Sequence, residues 1–326
     1  MLAIDILKQE GHPLRWAERE RPVPKTGEVV LEVVATAVNR ADLLQRMGRY
    51  PPPQGVTDVM GLEASGRVVA LGEGVQGVAL GDEVCALLAG GGYAQYVACP
   101  ESQLLPCPSS LTLVEAAALP EAIFTAYLNL YLEGELAPGE VALVHAGASG
   151  VGTAALQICR ALGNGAYATA SGGKLSALAA LGAVASFDRA KEDFVTWIKD
   201  QTGGRGADVI LDVVGGRYLE RNLAALAPGG RLVVIGLLGG ATGQLALGRL
   251  LQRRLRIVGS VLRGRSVEEK QAIRDAIIEQ VWPHVETGAI RPVIDCVLPM
   301  AEIEQAHTLL RENRTVGKVL LEVPAS

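Results

Sequence analysis

The residues from Val141 to Gly163, VALVHAGASGVGTAALQICRALG, set a glycine-rich turn between an apolar strand and a helix. Such a turn does its chemistry through the backbone. Glycines let the chain bend and approach a ligand, and the N–H groups that open the helix attract an anion. Gly147, Gly150 and Gly152, with Val151 between the last two, are spaced to hold a dinucleotide pyrophosphate. Against the pattern G-x-G-x-x-G, Ser149 replaces the middle glycine, and its hydroxyl is expected to hydrogen-bond a phosphate oxygen. The plainer alternative is an ordinary strand-to-helix turn.

About 20 residues further on, NAD-specific folds carry an acidic residue that holds the ribose 2′-hydroxyl. Here the segment AYATASGGKL offers Ser171 and Lys174, and no carboxylate occurs from Gly165 to Phe187. A hydroxyl and a cation attract a 2′-phosphate, which a carboxylate would repel, so NADPH is expected over NADH. Arg189, after the third strand, is expected to add a second cation. The alternative for Lys174 and Arg189 is a solvated surface role.

Elements able to position these loops alternate along the second half of the chain. Strands are expected at VALVHA, AYATA, AVASFD, ADVILDVV, RLVVIGL and LRIVGSVL, with helices between them at TAALQICRAL, KLSALAAL, EDFVTWIKDQT (192–202) and YLERNLAAL. Strands separated by short helices indicate a doubly wound parallel sheet. The first hundred residues differ. VVLEVVATAV, ASGRVVALGEGV, GDEVCALL and YAQYVACP read as short β segments with glycine punctuation, the pattern of a barrel or sandwich. After residue 264 a long helix over 267–288, a strand near RPVIDCVLPM, a helix EIEQAHTLLREN and a closing strand GKVLLEV are expected.

The composition fits two globular domains. The chain has 326 residues with 49% hydrophobic and 20% charged side chains, which argues against disorder, and a net charge of −5, which argues against nucleic-acid binding. Thirty-nine glycines exceed the roughly 23 of average usage. Five cysteines form no CxxC pair, so neither a zinc site nor a disulfide framework is expected. The N-terminal residues carry charges from Asp5 onward, without the apolar core of a signal peptide. The apolar run Leu232–Gly248 is short for a membrane span and reads as a strand followed by a loop; a cytoplasmic location without membrane attachment is the expectation.

Several segments together resemble the quinone oxidoreductase branch of the zinc-free medium-chain dehydrogenase/reductases, most nearly its tumour-suppressor-inducible subgroup. They include NRADLLQRMGRYPPP, GLEASGRV, GDEV, GGYAQY, ALPEAIFTAY, HAGASGVGTAALQ, LDVVGG, GLLGG and GKVLLE, and span nearly the whole chain. The resemblance implies an α/β protein with a GroES-like β-rich catalytic domain and a Rossmann cofactor domain, the nicotinamide lying in a cleft between them. The implied domains are 1–121, 122–264, and a return segment 265–326 that completes the first. Zinc-dependent relatives carry Gly-His-Glu where this chain has Gly61-Leu62-Glu63, and a cysteine ligand near Asn39-Arg40. No metal is therefore expected.

Carried over by position, the resemblance puts Asn39 beside nicotinamide and substrate. Tyr50 would close over them and donate a proton, or else pack as a loop tyrosine on the adjacent prolines. Gly236, Leu237 and Leu238 would edge the nicotinamide ribose, Leu262 and Arg263 would follow the segment reaching the carboxamide, and Lys318 would lie near the cleft. The implied reaction is NADPH-dependent reduction of a small-molecule quinone by hydride or electron transfer without zinc. Two alternatives stand beside it: an enoyl or enone reductase, for which Arg46 and Arg49 offer positive charge, and a cofactor-binding protein with negligible turnover. LRIVGSVL as an edge strand suggests a homodimer or a higher oligomer.

Overall fold

The computed structural model describes residues 1–191 and 193–325, and the chain forms two compact units. The first contains Met1–Phe124 and Leu262–Gly288, together with the residues from Pro292 onward. The second contains Thr125–Val261 and Ala289–Arg291. Leu262 and Arg263, which the sequence groups with the cofactor loops, thus belong by their contacts to the first unit.

The first unit is built around the strand Glu28–Ala37, whose valine-rich sequence suits a pleated, buried position. It pairs antiparallel with three others: Glu63–Leu71, Tyr96–Pro100 and Lys318–Glu322. The sheet runs on through Glu83–Leu87 and Leu104–Pro106 at one end, and through Ile294–Pro299 at the other. A separate hairpin, Leu2–Ile6 with Leu14–Glu18, has no counterpart in the sequence reading, because its short strands are interrupted by charges. The register Leu320↔Ala37 matters most for function. It lays the start of the C-terminal strand beside the residues that lead into the helix Arg40–Arg46.

The helix expected over 267–288 is two helices, Val267–Gln280 and Trp282–Glu286. Pro283 explains the break, since it supplies no N–H for the ladder and is tolerated only in a first turn.

The second unit is a six-stranded parallel sheet. Its order is Ala183–Asp188, Gly165–Ala170, Val141–His145, Ala207–Asp212, Leu226–Val234 and Arg256–Gly259. The central strand ADVILD is buried at every residue, as expected where helices cover both faces. Strand order steps outward in both directions from Val141–His145, and loops at such a switch point form the usual ligand crevice of a doubly wound sheet. The helix expected at 192–202 begins on a residue outside the described set; Phe194–Gln201 is helical. One helical run, Leu113–Leu132, has the length and apolarity to cross a membrane, but 78% of that window is buried within the protein, as in a core helix.

Candidate functional site

At the end of the strand Val141–His145 the chain turns through Ala146, at φ +54°, into the helix Gly150–Ala161. The left-handed residue of the turn is therefore an alanine. The glycines serve close approach instead. A Cβ on Gly147 would lie 2.7 Å from Ala168 Cβ, and one on Gly152 would collide with Ala146 O. Ser149 is the N-cap: its Oγ accepts a hydrogen bond from Gly152 N–H at 3.0 Å. The acceptor side of this hydroxyl thus serves the helix, a task added to the expected one, which would use its O–H as donor to a phosphate oxygen. The N–H groups of Gly150 and Val151 belong to the first turn, where no intrahelical acceptor exists, and point their partial positive charge at the turn.

On the neighbouring strand, Ser171 follows Ala170, and Gly172–Lys174 forms a short 3-10 turn. Arg189 lies beside it, because Ala183–Asp188 pairs in parallel with Gly165–Ala170. Arg189 Nε donates to Ser171 Oγ at 3.0 Å, so the structure brings two of the three expected 2′-phosphate groups together. It also adds a group that the sequence reading passed over. Asp188, one residue beyond the carboxylate-free window, is aligned with Ala170 and sits against the turn; a Cβ on Gly172 would lie 2.5 Å from its Oδ2. Asp188 Oδ1 accepts from Ala190 N–H at 3.0 Å. The signal that reveals it is strand pairing, which spacing along one strand does not contain.

Beyond the strand Leu226–Val234, the loop with Gly236, Leu237 and Leu238 is tied to the loop after Asp212. Leu238 N–H donates to Val213 O at 3.1 Å and Gly216 N–H to Gly240 O at 2.9 Å. Asp212 holds its own loop by accepting from Val214 and Gly215 N–H at 2.7 and 3.0 Å, and burial pushes its carboxyl up to about 6. Leu237 and Leu238 remain more than half exposed, an apolar surface at the carboxyl end of the sheet.

In the first unit, the remaining predicted residues join a buried polar cluster. Asn39 precedes the helix Arg40–Arg46, and its N–H donates to Asp42 Oδ2 at 2.7 Å. That leaves its side chain free for other work. Asn39 Nδ2 donates to Glu63 Oε1 at 2.8 Å, while Lys318 Nζ donates to both Asn39 Oδ1 and Glu63 Oε1 at 2.6 Å. Both ends of the Asn39 amide are therefore fixed. Glu63 is fully buried and Lys318 is 5% exposed. The other Glu63 oxygen, Oε2, accepts from Glu121 N–H at 2.9 Å. Asp42, also fully buried, accepts in addition from Tyr93 Oη–H at 3.0 Å, and burial pushes it up to about 6.

Tyr50 is held by Arg263. The guanidinium lies 5.2 Å from the centre of its ring, donates from Nη1 to Tyr50 O at 3.3 Å, and donates from Nε to Ala89 O at 2.6 Å. Lys270, also buried, donates from Nζ to Arg263 O at 2.9 Å. Burial and the charge of Glu121 raise the Tyr50 phenol above its ordinary value, so it keeps its proton at physiological pH. Leu262 is buried beside Arg263 in sequence. Arg46 is committed elsewhere, donating to both Glu304 oxygens and to His12 O, which removes it as a phosphate-binding group. Sequence reasoning missed Asp42, Glu121 and Lys270 as members of this cluster, and left Glu63 outside the site.

Two family models match: the alcohol dehydrogenase GroES-like domain over residues 25–109 and the zinc-binding dehydrogenase over 150–278. The synaptic vesicle membrane protein VAT-1 homolog of Rattus norvegicus is 35% identical over 319 residues, covering 92% of this chain and 78% of that protein. The chain belongs to the medium-chain dehydrogenase/reductases, in the zinc-free quinone oxidoreductase-like branch. Among solved structures of this family, the JamJ enoyl reductase superposes with a TM-score of 0.87 at 27% identity, covering 99% of both chains. A mycobacterial protein in complex with NADPH superposes at 0.86 and 28% identity, covering 99% of this chain and all of that one.

A medium-chain dehydrogenase/reductase binds a nicotinamide dinucleotide, and the second unit fits one. Gly147 and Gly152 leave no room for side chains at the turn, and the N–H groups of Gly150 and Val151 would hold the pyrophosphate. Ser171 and Lys174, after the strand Gly165–Ala170, and Arg189, after its neighbour Ala183–Asp188, would face the adenosine ribose. Among the described residues no group of three or more His, Cys, Asp or Glu is arranged to hold a metal ion. Where zinc-dependent members have cysteine and histidine ligands, this oxidoreductase has an asparagine bonded to an ammonium and a leucine buried in the core.

Proposed function

We propose that this chain is an NADPH-dependent reductase of quinones that acts without zinc. The observation that carries the reading is Tyr50, a neutral phenol clamped by Arg263 through its ring and its carbonyl. When bound, the dihydronicotinamide supplies a hydride. Tyr50 then supplies a proton to the oxygen that becomes anionic, while Asn39, whose Nδ2 donates to Glu63 and to Ala37 O and whose Oδ1 accepts from Lys318, serves as a fixed polar surface beside it and not as a donor. Neither group demands a particular carbon skeleton, so a broad range of quinones is expected. Likeness to an enoyl reductase supports enones as a second substrate class.

Ser171, Lys174 and Arg189 favour the 2′-phosphate of NADPH, and Asp188 opposes it. Initial rates with NADPH and NADH against 1,2-naphthoquinone, 1,4-benzoquinone and a simple enone test both parts of the proposal. Lys174→Ala is expected to lower the NADPH/NADH preference about tenfold, or ~1.4 kcal/mol, and Asp188→Asn to raise it by a similar factor. Wild-type protein that oxidises NADPH with none of the quinones would sink the reaction. An unchanged preference in Lys174→Ala would sink the phosphate assignment.

We also propose that two copies pair along the edge strand Arg256–Gly259, beside which Leu247 and Leu251 are exposed on the helix preceding it. Sedimentation at micromolar concentration is expected to show a dimer; a monomer alone would remove the pairing.

A further inference from the structure

His145 is a buried titratable group of the second unit to which the reaction above gives no task. It ends the strand Val141–His145, one residue before the left-handed Ala146, and is 1% exposed. Both ring nitrogens are engaged. Nδ1 lies 2.9 Å from Thr169 Oγ1 on the neighbouring strand, and Nε2 lies 2.8 Å from Asn222 Oδ1 on the helix Leu219–Ala225. Asn222 Oδ1 can only accept, so Nε2 carries the hydrogen, and Nδ1 of the neutral ring is left to accept from the Thr169 hydroxyl. The rings of Phe194 and Tyr218 meet the imidazole edge-on, each with its centre 5.0 Å away. Enclosure pushes the imidazole down to about 4, and the charge of Arg221 acts in the same direction, so the ring stays neutral near pH 7.

Each of the two bonds reaches a different loop at the carboxyl end of the sheet. Thr169 is aligned with His145 in the strand register, and its carbonyl accepts from Gly147 N–H at 2.9 Å. Two residues later the chain enters the Ser171–Lys174 turn. Asn222 stands on the helix that follows the loop after Asp212, and Tyr218, which packs on the ring, belongs to that loop. The same loop is bonded to the segment Gly236–Gly240 through Val213 O and Gly216 N–H. We propose, on the dinucleotide reading given above, that His145 is a positioning residue for the cofactor: through Nδ1 it sets the turns for the adenosine and pyrophosphate half, and through Nε2 the loops for the nicotinamide half. It touches no reacting atom, its ring neither gains nor loses a proton, and its role is the same for a quinone or an enone.

The test places two substitutions at this one position in the whole chain. An asparagine can set an oxygen where Nδ1 stands, and a glutamine can set an N–H donor where Nε2 stands, so each keeps one bond and loses the other. His145→Asn is expected to bind adenosine 2′,5′-bisphosphate as wild type does and NADPH about tenfold more weakly, whereas His145→Gln should bind both about tenfold more weakly. Thr169→Val removes only the hydroxyl; it should reproduce the result of His145→Gln, and it decides the Nδ1 bond even if the histidine variants do not fold. Nitrogen NMR of histidine-labelled wild-type protein from pH 5.5 to pH 8 should show His145 neutral throughout, with its hydrogen on Nε2. Equal weakening of the two ligands in His145→Asn, full affinity for both in Thr169→Val, or a hydrogen on Nδ1 would each overturn the proposal. Wild-type protein that binds neither ligand would instead overturn the dinucleotide reading on which it rests.

Discussion

Lys318→Met is expected to lower the free energy of unfolding by about 3–5 kcal/mol, because it strands a buried carboxylate without its cation. Glu63 is fully buried, its Oε1 accepts from Lys318 Nζ at 2.6 Å, and the same ammonium holds Asn39 Oδ1. The loss has two parts. One is the desolvated charge on Glu63; the other is the amide of Asn39, which is then free to turn. The double variant Lys318→Met/Glu63→Gln should recover most of the stability, since a neutral amide can still donate and accept at that place. Quinone reduction should stay impaired in the double variant, because Asn39 Oδ1 still lacks its partner. Guanidinium denaturation at pH 7 measures the first effect. A loss below about 1 kcal/mol would mean that the pair is solvated and the amide is held by something else.

Gly152→Ala should be nearly as damaging, for a different reason. Its Cβ would collide with Ala146 O and lie 2.7 Å from both C and Cα of Gly147, so every offending atom is backbone. No rotamer can relieve such a clash. The turn must open, which costs about 1–3 kcal/mol of overpacking strain. Opening also moves the Gly150 and Val151 N–H groups, so NADPH binding should weaken about a hundredfold, or ~2.7 kcal/mol. Gly248→Ala provides the control, since nothing lies within 4 Å of its added Cβ and it sits inside the helix Leu247–Gln252. That change should be neutral or stabilising by up to about 1 kcal/mol. Fluorescence titration with NADPH and thermal unfolding of both variants test the contrast. Full NADPH affinity in Gly152→Ala would exclude the turn as the pyrophosphate cradle.

These expectations draw unequally on the sequence. The glycine turn and its helix were legible because every group involved lies within about a dozen residues, where local geometry follows from chain connectivity. Tyr50 was legible through the resemblance, but its clamp was not: Arg263 is 213 residues away and had been grouped with the cofactor loops. The N-cap bond of Ser149 is a second use of a hydroxyl that can accept from the helix and donate to a phosphate at once, so spacing alone does not reveal it. Arg46 reads as an available cation in the sequence because the Glu304 that holds it lies 258 residues on.

The alternation of strand and helix and the turn at Gly147–Gly152 are written in the sequence, because hydrophobic period and short-range glycine spacing encode burial and backbone freedom directly, while the family is legible only through the resemblance of its motifs. Only the tertiary structure decided which charges meet. Parallel pairing of two neighbouring strands sets Asp188 and Arg189 beside the Ser171–Lys174 turn, and antiparallel pairing of the last strand with Glu28–Ala37 carries Lys318 to Asn39 and Glu63. A side-chain pattern reports whether a residue is buried. The partner it finds there depends on strand order and register, which are fixed by the packing of the whole sheet.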